Sequence, residues 1–309
     1  MLIGLAAVFA VINGANDGGA MVAAALRVPG QRPLTSLTVL AVALVVVPLA
    51  LGTGVADTLT SGLVQAPERA QPALIAGGVA AAVLVVAVLT RAGLPTSLTL
   101  GMVGGIVGAG LGRGLPVIAG GLTRVVLIGL AAPVVGAALA QLLATVAQAT
   151  MVAGDAVAPA VLGWVASVAQ AVAYAANDGQ KMIAVIVVSA LDLSVPVIAA
   201  VAVLFAVGAV PGIRPAAGTL RRAVARGGPA EQVTAQLGGA AAVLSSAAVG
   251  VPVSMTQAVA GGLVGTGLLR GRRQVRWRVA AQLALAWAVT LPSAAVAGAL
   301  IAVLAGSLR

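Results

Sequence analysis

Long apolar segments recur along the whole chain and limit its fold more than any other feature. They cover residues 34–54, 72–90, 116–146, 159–175, 195–210 and 279–305. Each is long enough, or nearly so, to cross the ~30 Å hydrocarbon layer of a bilayer as a helix. The 309-residue chain is 61% hydrophobic and 8% charged, which leaves too little polar surface for a water-soluble domain. Because the segments lack the alternation of a membrane β-barrel, the sequence predicts an all-α polytopic membrane protein.

The basic residues are concentrated between the apolar segments. Two arginine clusters comprise Arg214, Arg221, Arg222 and Arg226, and Arg270, Arg272, Arg273, Arg276 and Arg278. Such clusters are typical of cytoplasmic loops in membrane proteins. The net charge of +10 is accompanied by only 2% aromatic residues, so a nucleic-acid partner is not expected. We expect the lipid bilayer as partner, and the Ala/Val/Gly/Arg-rich composition favours a bacterial inner (plasma) membrane; a homo-oligomer is compatible with the sequence.

The absence of certain residue types excludes several kinds of chemistry. The chain has no cysteine and no histidine, which excludes disulfides, thiol catalysis, haem ligation and nearly all zinc sites. An intramembrane enzyme would have to use two aspartates as a catalytic dyad. We therefore expect no enzymatic activity and no organic cofactor.

One short polar motif interrupts an apolar segment in each half of the chain. Residues 13–19 read NGANDGG and residues 173–181 read AYAANDGQK. The two Asn-Asp-Gly triplets lie 161 residues apart (177 minus 16). A second motif, P-x-S-x-T-x-x-x-x-G-G, begins at Pro95 and again at Pro252, 157 residues later (252 minus 95).

Two motifs that recur in one order at nearly one offset predict an internal duplication. We expect an N-terminal transmembrane repeat over 1–146 and a C-terminal one over 155–309, the latter with a basic loop over 211–232. Duplicated halves with interrupted apolar segments are typical of secondary transporters, whose sites lie near the midplane between the halves. The pattern alone leaves parallel and inverted repeats open.

The Asn-Asp-Gly motifs predict a cation site and a neighbouring anion site. Gly, Asn and Asp tolerate local unwinding of a helix, which would free carbonyl oxygens to join the Asn and Asp side chains around Na⁺. The helix restarting at Gly18 or Gly179 would point its positive end at an anion. For a single copy, an ordinary turn at the membrane interface is an equal alternative; two matched copies favour the site.

The P-x-S-x-T segments predict re-entrant hairpins that line a cavity. Proline breaks the preceding helix, and the following hydroxyl groups can cap a new helix or bind a ligand. The alternative is a glycine-rich membrane helix packed closely on a neighbour.

The two motif aspartates, Asp17 and Asp178, would repel a bound anion. A cation or a proton must therefore lie between carboxylate and anion, so that binding of the anion is coupled to binding of the cation. Lys181 either tunes this charge or extends its ammonium to the membrane surface.

Together the motifs resemble those of the inorganic phosphate transporter (PiT) family. Gly14-Ala15-Asn16-Asp17 matches the family's G-A-N-D, Asn177 to Lys181 resembles its N-D-G-Q-K form, and the P-x-S-x-T segments resemble its P-V-S-T-T-H. The chain departs from the family pattern at several positions, which leaves fewer candidate ligands. These positions are Ala20, Leu98, Leu100, Tyr174, Met255 and Gln257.

The resemblance implies inverted repeats with broken helices, and symport of inorganic phosphate with Na⁺ or H⁺ by alternating access. Asp17, Asp178, Asn16 and Asn177 would hold the cation. Substrate would be bound by Ser97, Thr99, Ser254, Thr256, Asn16, Asn177, Gly18 and Gly179. Another oxyanion such as sulfate, or a cation channel or carrier built on the two aspartates, are the alternative functions.

Overall fold

The computed structural model describes residues 2–27, 30–91, 96–152, 159–189, 193–221 and 227–307. Within these ranges the chain forms thirteen α-helices and no β-strand. The helices are α1 (Leu2–Asn13), α2 (Gly19–Ala25), α3 (Pro33–Leu51), α4 (Gly54–Thr60), α5 (Gln71–Arg91), α6 (Leu98–Gly112), α7 (Ala119–Val152), α8 (Pro159–Tyr174), α9 (Gln180–Val188), α10 (Val195–Arg221), α11 (Pro229–Ala248), α12 (Met255–Leu269) and α13 (Trp277–Ser307). A first π-turn (Gly14–Gly18) joins α1 to α2, and a second π-turn (Ala175–Gly179) joins α8 to α9.

Seven helical segments of the described residues are long and apolar enough to cross a membrane. They are Ile3–Ala25, Pro33–Leu51, Glu68–Arg91, Ala119–Ala149, Ala160–Val188, Val195–Arg214 and Trp277–Ser307. These segments confirm the predicted all-α, multi-pass architecture. The apolar stretch 116–146 becomes part of one continuous helix, α7, despite Pro133 in its interior, because neighbouring helices in a membrane protein can satisfy the backbone group that a proline leaves free.

The predicted basic loop over 211–232 is mostly helical. Helix α10 continues to Arg221 and α11 begins at Pro229, so only residues between these helices can form a loop, and 222–226 lie outside the described residues. Pro211 and Pro215 therefore lie within α10. The predicted boundary between the halves stays a prediction: α7 runs on to Val152, and residue 155 lies outside the described residues.

Helices α6 and α12 are too short to cross the bilayer unaided. Each has fifteen residues, or about 22 Å of helix at 1.5 Å per residue, against ~30 Å of hydrocarbon. Both pack against the helix that precedes them, α5 and α11 respectively. This arrangement supports the predicted re-entrant hairpins.

Glycines on α6 and α12 bring each helix into backbone contact with a helix of the other half. A Cβ atom added at Gly104 or Gly108 of α6 would collide with the carbonyl oxygen of Leu291 or Ala295 on α13. One added at Gly261 or Gly265 of α12 would collide with that of Pro133 or Ala137 on α7. Both target pairs are offset by 158 residues (291 minus 133 and 295 minus 137). Such small-residue interfaces let membrane helices approach closely, and their recurrence supports the predicted duplication.

The two π-turns show the same reciprocal packing between the halves. Gly18 lies against Phe205 and Ala209 of α10, whereas Gly179 lies against Leu44 and Pro48 of α3. All three positions are offset by 161 residues, the spacing of the Asn-Asp-Gly motifs themselves. Each half therefore supports the π-turn of the other, and the halves interleave around a common centre.

Candidate functional site

The Asn-Asp-Gly motifs lie on π-turns rather than on the unwound turns expected from the sequence. At the first π-turn the Gly19 N–H donates to the Gly14 carbonyl oxygen five residues earlier, and the flanking Asn13 and Gly19 have helical dihedral angles (φ −61°, ψ −42° and φ −59°, ψ −41°). The second π-turn is likewise flanked by helical residues. A π-turn adds one residue to the helix and often marks a functional site. It redirects the side chains while keeping backbone groups paired, which a membrane interior requires.

Gly18 and Gly179 consequently do not begin new helices in this structure. Both lie within continuous helical segments, so the described residues present no free helix N-terminus at either glycine. Their lack of a side chain instead permits the close approach of α10 and α3. Helix N-termini are found at the other motif, where Ser97 and Ser254 precede the first residues of α6 and α12.

The two aspartates are buried and lie close enough to interact. Asp17 is 8% exposed and Asp178 2% exposed, and the Asp17 carboxylate interacts electrostatically with both Asp178 and Lys181. The structure thus brings together side chains that are 161 residues apart in sequence (178 minus 17). A pair of carboxylates at such a depth in a membrane protein is costly unless positive charge accompanies it.

Lys181 supplies positive charge to one of the two carboxylates. Its Nζ atom lies 2.6 Å from Oδ1 of Asp178, and its side chain is 1% exposed. The same ammonium group donates to Thr99 Oγ1 at 2.5 Å and to the Val253 carbonyl oxygen at 2.9 Å. All three donor positions are therefore used inside the protein, which rules out the alternative that this lysine extends to the membrane surface.

Asp17 has a different environment. Its Oδ1 atom accepts a hydrogen bond from Asn16 Nδ2 at 2.8 Å, and it forms no ion pair with any described residue. The residue that corresponds to Lys181 after a shift of 161 positions is Ala20. The first half therefore contributes a buried carboxylate with an amide partner but without a cation.

The Asn177 side chain fixes the extended segment that precedes α12. Its Nδ2 atom donates to the Val251 carbonyl oxygen, and its Oδ1 atom accepts from the Val253 N–H, both at 3.3 Å. This segment follows Gly250, whose φ of +71° is a conformation that favours glycine and ends α11. Asn177 thereby positions the Val253 carbonyl oxygen that Lys181 contacts.

The starts of α6 and α12 meet at this centre. Thr99 Oγ1 donates to the Val253 carbonyl oxygen at 3.1 Å, which links the first turn of α6 to the segment before α12. Ser97 caps α6 by accepting from the Leu100 N–H at 3.3 Å, and the hydroxyl groups of Ser254 and Thr256 are 2.9 Å apart. Ser97, Thr99 and Ser254 are buried. Pro95 lies outside the described residues, so its predicted role in breaking the chain there stays a prediction.

Two helix N-termini directed at one buried region favour negative charge there. The first N–H groups of a helix lack intrahelical partners, and the helix dipole places partial positive charge at the same end. The region therefore offers hydroxyl and N–H donors to an anion, and the Lys181 ammonium group beside Thr99 adds positive charge. Asp17 and Asn16 offer oxygen ligands to a cation.

Three further polar residues at the centre were not among the sequence candidates. Tyr174 donates its hydroxyl to Asn13 Oδ1 at 3.0 Å; these residues are also 161 positions apart and sit just before the two π-turns. Gln180 accepts from the Val55 N–H at 2.7 Å and donates to the Ala176 carbonyl oxygen at 2.8 Å, which caps α4. The repeat offset could have identified the Asn13–Tyr174 pair, whereas nothing local to Gln180 indicates its partner.

Comparisons with known proteins agree with this arrangement. A family model described as "Phosphate transporter family" matches residues 13–161 and 157–298. A probable low-affinity inorganic phosphate transporter of Rhizobium meliloti is 27% identical over 318 residues, covering 97% of this chain and 95% of the relative. A protein of the same description from Mycobacterium bovis is 30% identical over 314 residues, covering 94% of this chain and 73% of the relative.

A solved structure shares the overall fold. The chain named "The sodium-dependent phosphate transporter" superimposes with a TM-score of 0.79 over 99% of this chain and 98% of the other, at 18% identity. The names of the sequence relatives describe transporters rather than enzymes, in agreement with the expectation that this chain does not catalyse a reaction.

Proposed function

The chain belongs to the phosphate transporter family, and we propose that it carries inorganic phosphate across a membrane by symport with Na⁺ or H⁺. The names of its relatives support phosphate as the cargo, and its fold is shared with a protein named as sodium-dependent. The interleaved halves are suited to alternating access, in which one part rocks against the other around a central site. The bacterial relatives favour a bacterial inner membrane.

One observation carries the coupling mechanism: the buried Asp17 carboxylate has no ion pair with a described residue, whereas the neighbouring Asp178 is paired with Lys181. A carboxylate that has no ion pair and lies near a second carboxylate in a low-dielectric interior favours the binding of a cation or a proton. That recruited charge also removes the repulsion that an incoming anion would meet. We infer that Asp17 and Asn16 bind the coupling ion and that its arrival makes phosphate binding favourable.

Phosphate itself would bind where α6 and α12 begin. The hydroxyl groups of Ser97, Ser254 and Thr256 and the free N–H groups of the first turns are the donors for its oxygens. Thr99, a substrate ligand in the sequence prediction, would act indirectly, because its hydroxyl donates to the Val253 carbonyl oxygen and accepts from Lys181, and the Lys181 ammonium group would contribute its positive charge nearby. Asn177 would contribute indirectly, since its amide already positions the segment before α12.

A protonated phosphate also fits the acidic character of the site better than sulfate does. At neutral pH phosphate retains at least one O–H group, which can donate to a carboxylate, whereas sulfate has no donor. A buried acceptor left without a donor costs about 1–3 kcal/mol. We therefore propose phosphate over sulfate as the preferred cargo.

The test is uptake of labelled phosphate into proteoliposomes with a Na⁺ gradient and a pH gradient imposed in turn. We expect one of the gradients to drive accumulation, and we expect excess unlabelled phosphate to compete better than sulfate. Uptake that neither gradient changes would remove the symport proposal. Cation flux that continues at full rate without phosphate would favour a channel or cation carrier instead.

A matched pair of variants isolates the role of the buried carboxylate. Asp17→Asn removes the proposed ion ligand, whereas Asp57→Asn removes a carboxylate that is exposed at α4. We expect the first variant to lose uptake driven by the gradient and the second to retain it.

A further inference from the structure

We propose that the Lys181 ammonium group is a tethered cation that permanently occupies the cation position of the second half. Transport would then be coupled to one exchangeable cation, bound at Asp17, rather than to two. This inference rests on the proposed symport and specifies its stoichiometry.

The contacts of Lys181 are those of a cation in an oxygen cage. Nζ lies within 2.5–2.9 Å of a carboxylate, a hydroxyl and a backbone carbonyl oxygen, from Asp178, Thr99 and Val253. These are the oxygen types that hold Na⁺ in transporters with interrupted helices. They come from the second π-turn, from the start of α6 and from the segment before α12, so one ammonium group joins three elements from both halves.

The first half contains the residues that correspond to the Lys181 cage but has no lysine at the corresponding position. Asp178 corresponds to Asp17 and Lys181 to Ala20, each 161 residues earlier. Thr99 and Val253 correspond, by the 157-residue offset of the second motif, to Thr256 and Thr96. The first half thus retains a carboxylate and hydroxyl-bearing residues but has a methyl group where the second half has an ammonium group.

Charge balance limits the number of mobile ions. Two carboxylates and one ammonium group give the buried centre a net charge of −1, from Asp17, Asp178 and Lys181. One monovalent cation neutralises it before phosphate enters, and a second would leave an excess positive charge in a membrane interior. A centre without the lysine would need two exchangeable cations for the same neutrality.

The inference predicts the charge moved with each phosphate. Lys181 stays with the protein, so only one cation should accompany the cargo. In Lys181→Met the Asp178 carboxylate loses its fixed partner, and a second exchangeable cation should be required. The charge carried per phosphate should therefore become more positive by one elementary charge.

The test is the gradient of the driving cation at which net phosphate flux reverses, measured in proteoliposomes at a fixed phosphate gradient and a clamped membrane potential. This equilibrium point reports the number of cations per phosphate whether or not transport moves net charge, and it does not depend on the transport rate. We expect one for the wild-type chain and two for Lys181→Met. For the double variant Asp178→Asn/Lys181→Met, which removes both charges, we expect slower transport with the wild-type stoichiometry.

A second readout tests the tether directly. Lys181→Ala leaves space for a free amine, so propylammonium in the buffer should restore uptake at a single-cation stoichiometry, whereas the uncharged propanol should not. A Hill coefficient for the driving cation of about 1 in the wild type and up to about 2 in Lys181→Met would agree with this scheme.

Two results would overturn the inference. Two exchangeable cations per phosphate in the wild-type chain would do so even if every variant were inactive, and so would an unchanged stoichiometry in an active Lys181→Met. Failure of the proposed function is distinguishable, because it would appear as wild-type phosphate uptake that no cation gradient drives.

Discussion

The two π-turns have the same backbone form and different chemistry. Both follow an apolar helix, both carry Asn-Asp-Gly, and both pack on a helix of the other half. At the second, Asp178 is paired with a buried ammonium group and the Asn177 amide binds the segment before α12. At the first, Asp17 has only its neighbour Asn16 as a partner. The two turns thus share one geometry, whereas only the first has a carboxylate without an ion pair among the described residues.

The largest effect that distinguishes the two turns should come from Asp17→Asn. Because this carboxylate is the one we assign to the exchangeable cation, we expect gradient-driven phosphate uptake to fall by roughly 100-fold or more. The fold should survive, since an uncompensated buried charge is replaced by a neutral group of the same shape. Uptake in proteoliposomes and thermal unfolding in detergent measure the two effects separately. Uptake at the wild-type level would assign the coupling ion elsewhere.

The Asp178–Lys181 pair should dominate stability at the second turn. Removing one member of a buried ion pair leaves an uncompensated charge and costs about 3–5 kcal/mol, whereas replacing both members costs far less. We therefore expect Lys181→Met to unfold at a clearly lower temperature than the double variant Asp178→Asn/Lys181→Met. A double-mutant cycle measured by thermal unfolding gives the coupling between the residues. Additive effects would mean that the pair seen in the structure contributes little.

The two motif glycines should differ in their tolerance of a methyl group. A Cβ at Gly18 would lie 2.7 Å from the Phe205 ring and 2.9 Å from the Ala209 Cβ, whereas one at Gly179 would lie 3.1 Å from Pro48 and 3.4 Å from Leu44. Overpacking typically costs about 1–3 kcal/mol, so Gly18→Ala should destabilise the fold more than Gly179→Ala. Unfolding temperatures of the two variants, measured side by side, test the order. The reverse order would contradict the packing described here.

The smallest effect on uptake should come from removing the Tyr174–Asn13 hydrogen bond, which joins the residues just before the two π-turns. Tyr174→Phe removes the hydroxyl that donates to Asn13 Oδ1, and Nδ2 of Asn13 already has no hydrogen-bond partner among the described residues. Because the buried Asn13 Oδ1 is left without a donor, the loss costs about 1–3 kcal/mol. We expect a small decrease in unfolding temperature with gradient-driven uptake retained. A loss of uptake without a change in stability would instead place Tyr174 in the transport mechanism.

The difference between the turns was only partly readable from the sequence. The Asn-Asp-Gly repeat identified both aspartates, and the P-x-S-x-T repeat identified the hydroxyl groups at the starts of α6 and α12. The contact between Lys181 and Thr99 was not predictable, because the residues are 82 positions apart and belong to different motifs. The π-turns were also missed, since Asn, Asp and Gly permit unwinding and a π-bulge equally well.

The sequence by itself determined the membrane environment, six of the seven candidate membrane spans and the recurrence of the polar motifs. These are local or periodic properties, and composition and spacing express them directly. Only the tertiary structure decided that the halves interleave, that Asp17 and Asp178 share one buried centre, and that Lys181 neutralises one of them. Burial and charge pairing depend on which distant helices meet, and the glycines of α6 and α12 let these helices approach α13 and α7 at backbone distance.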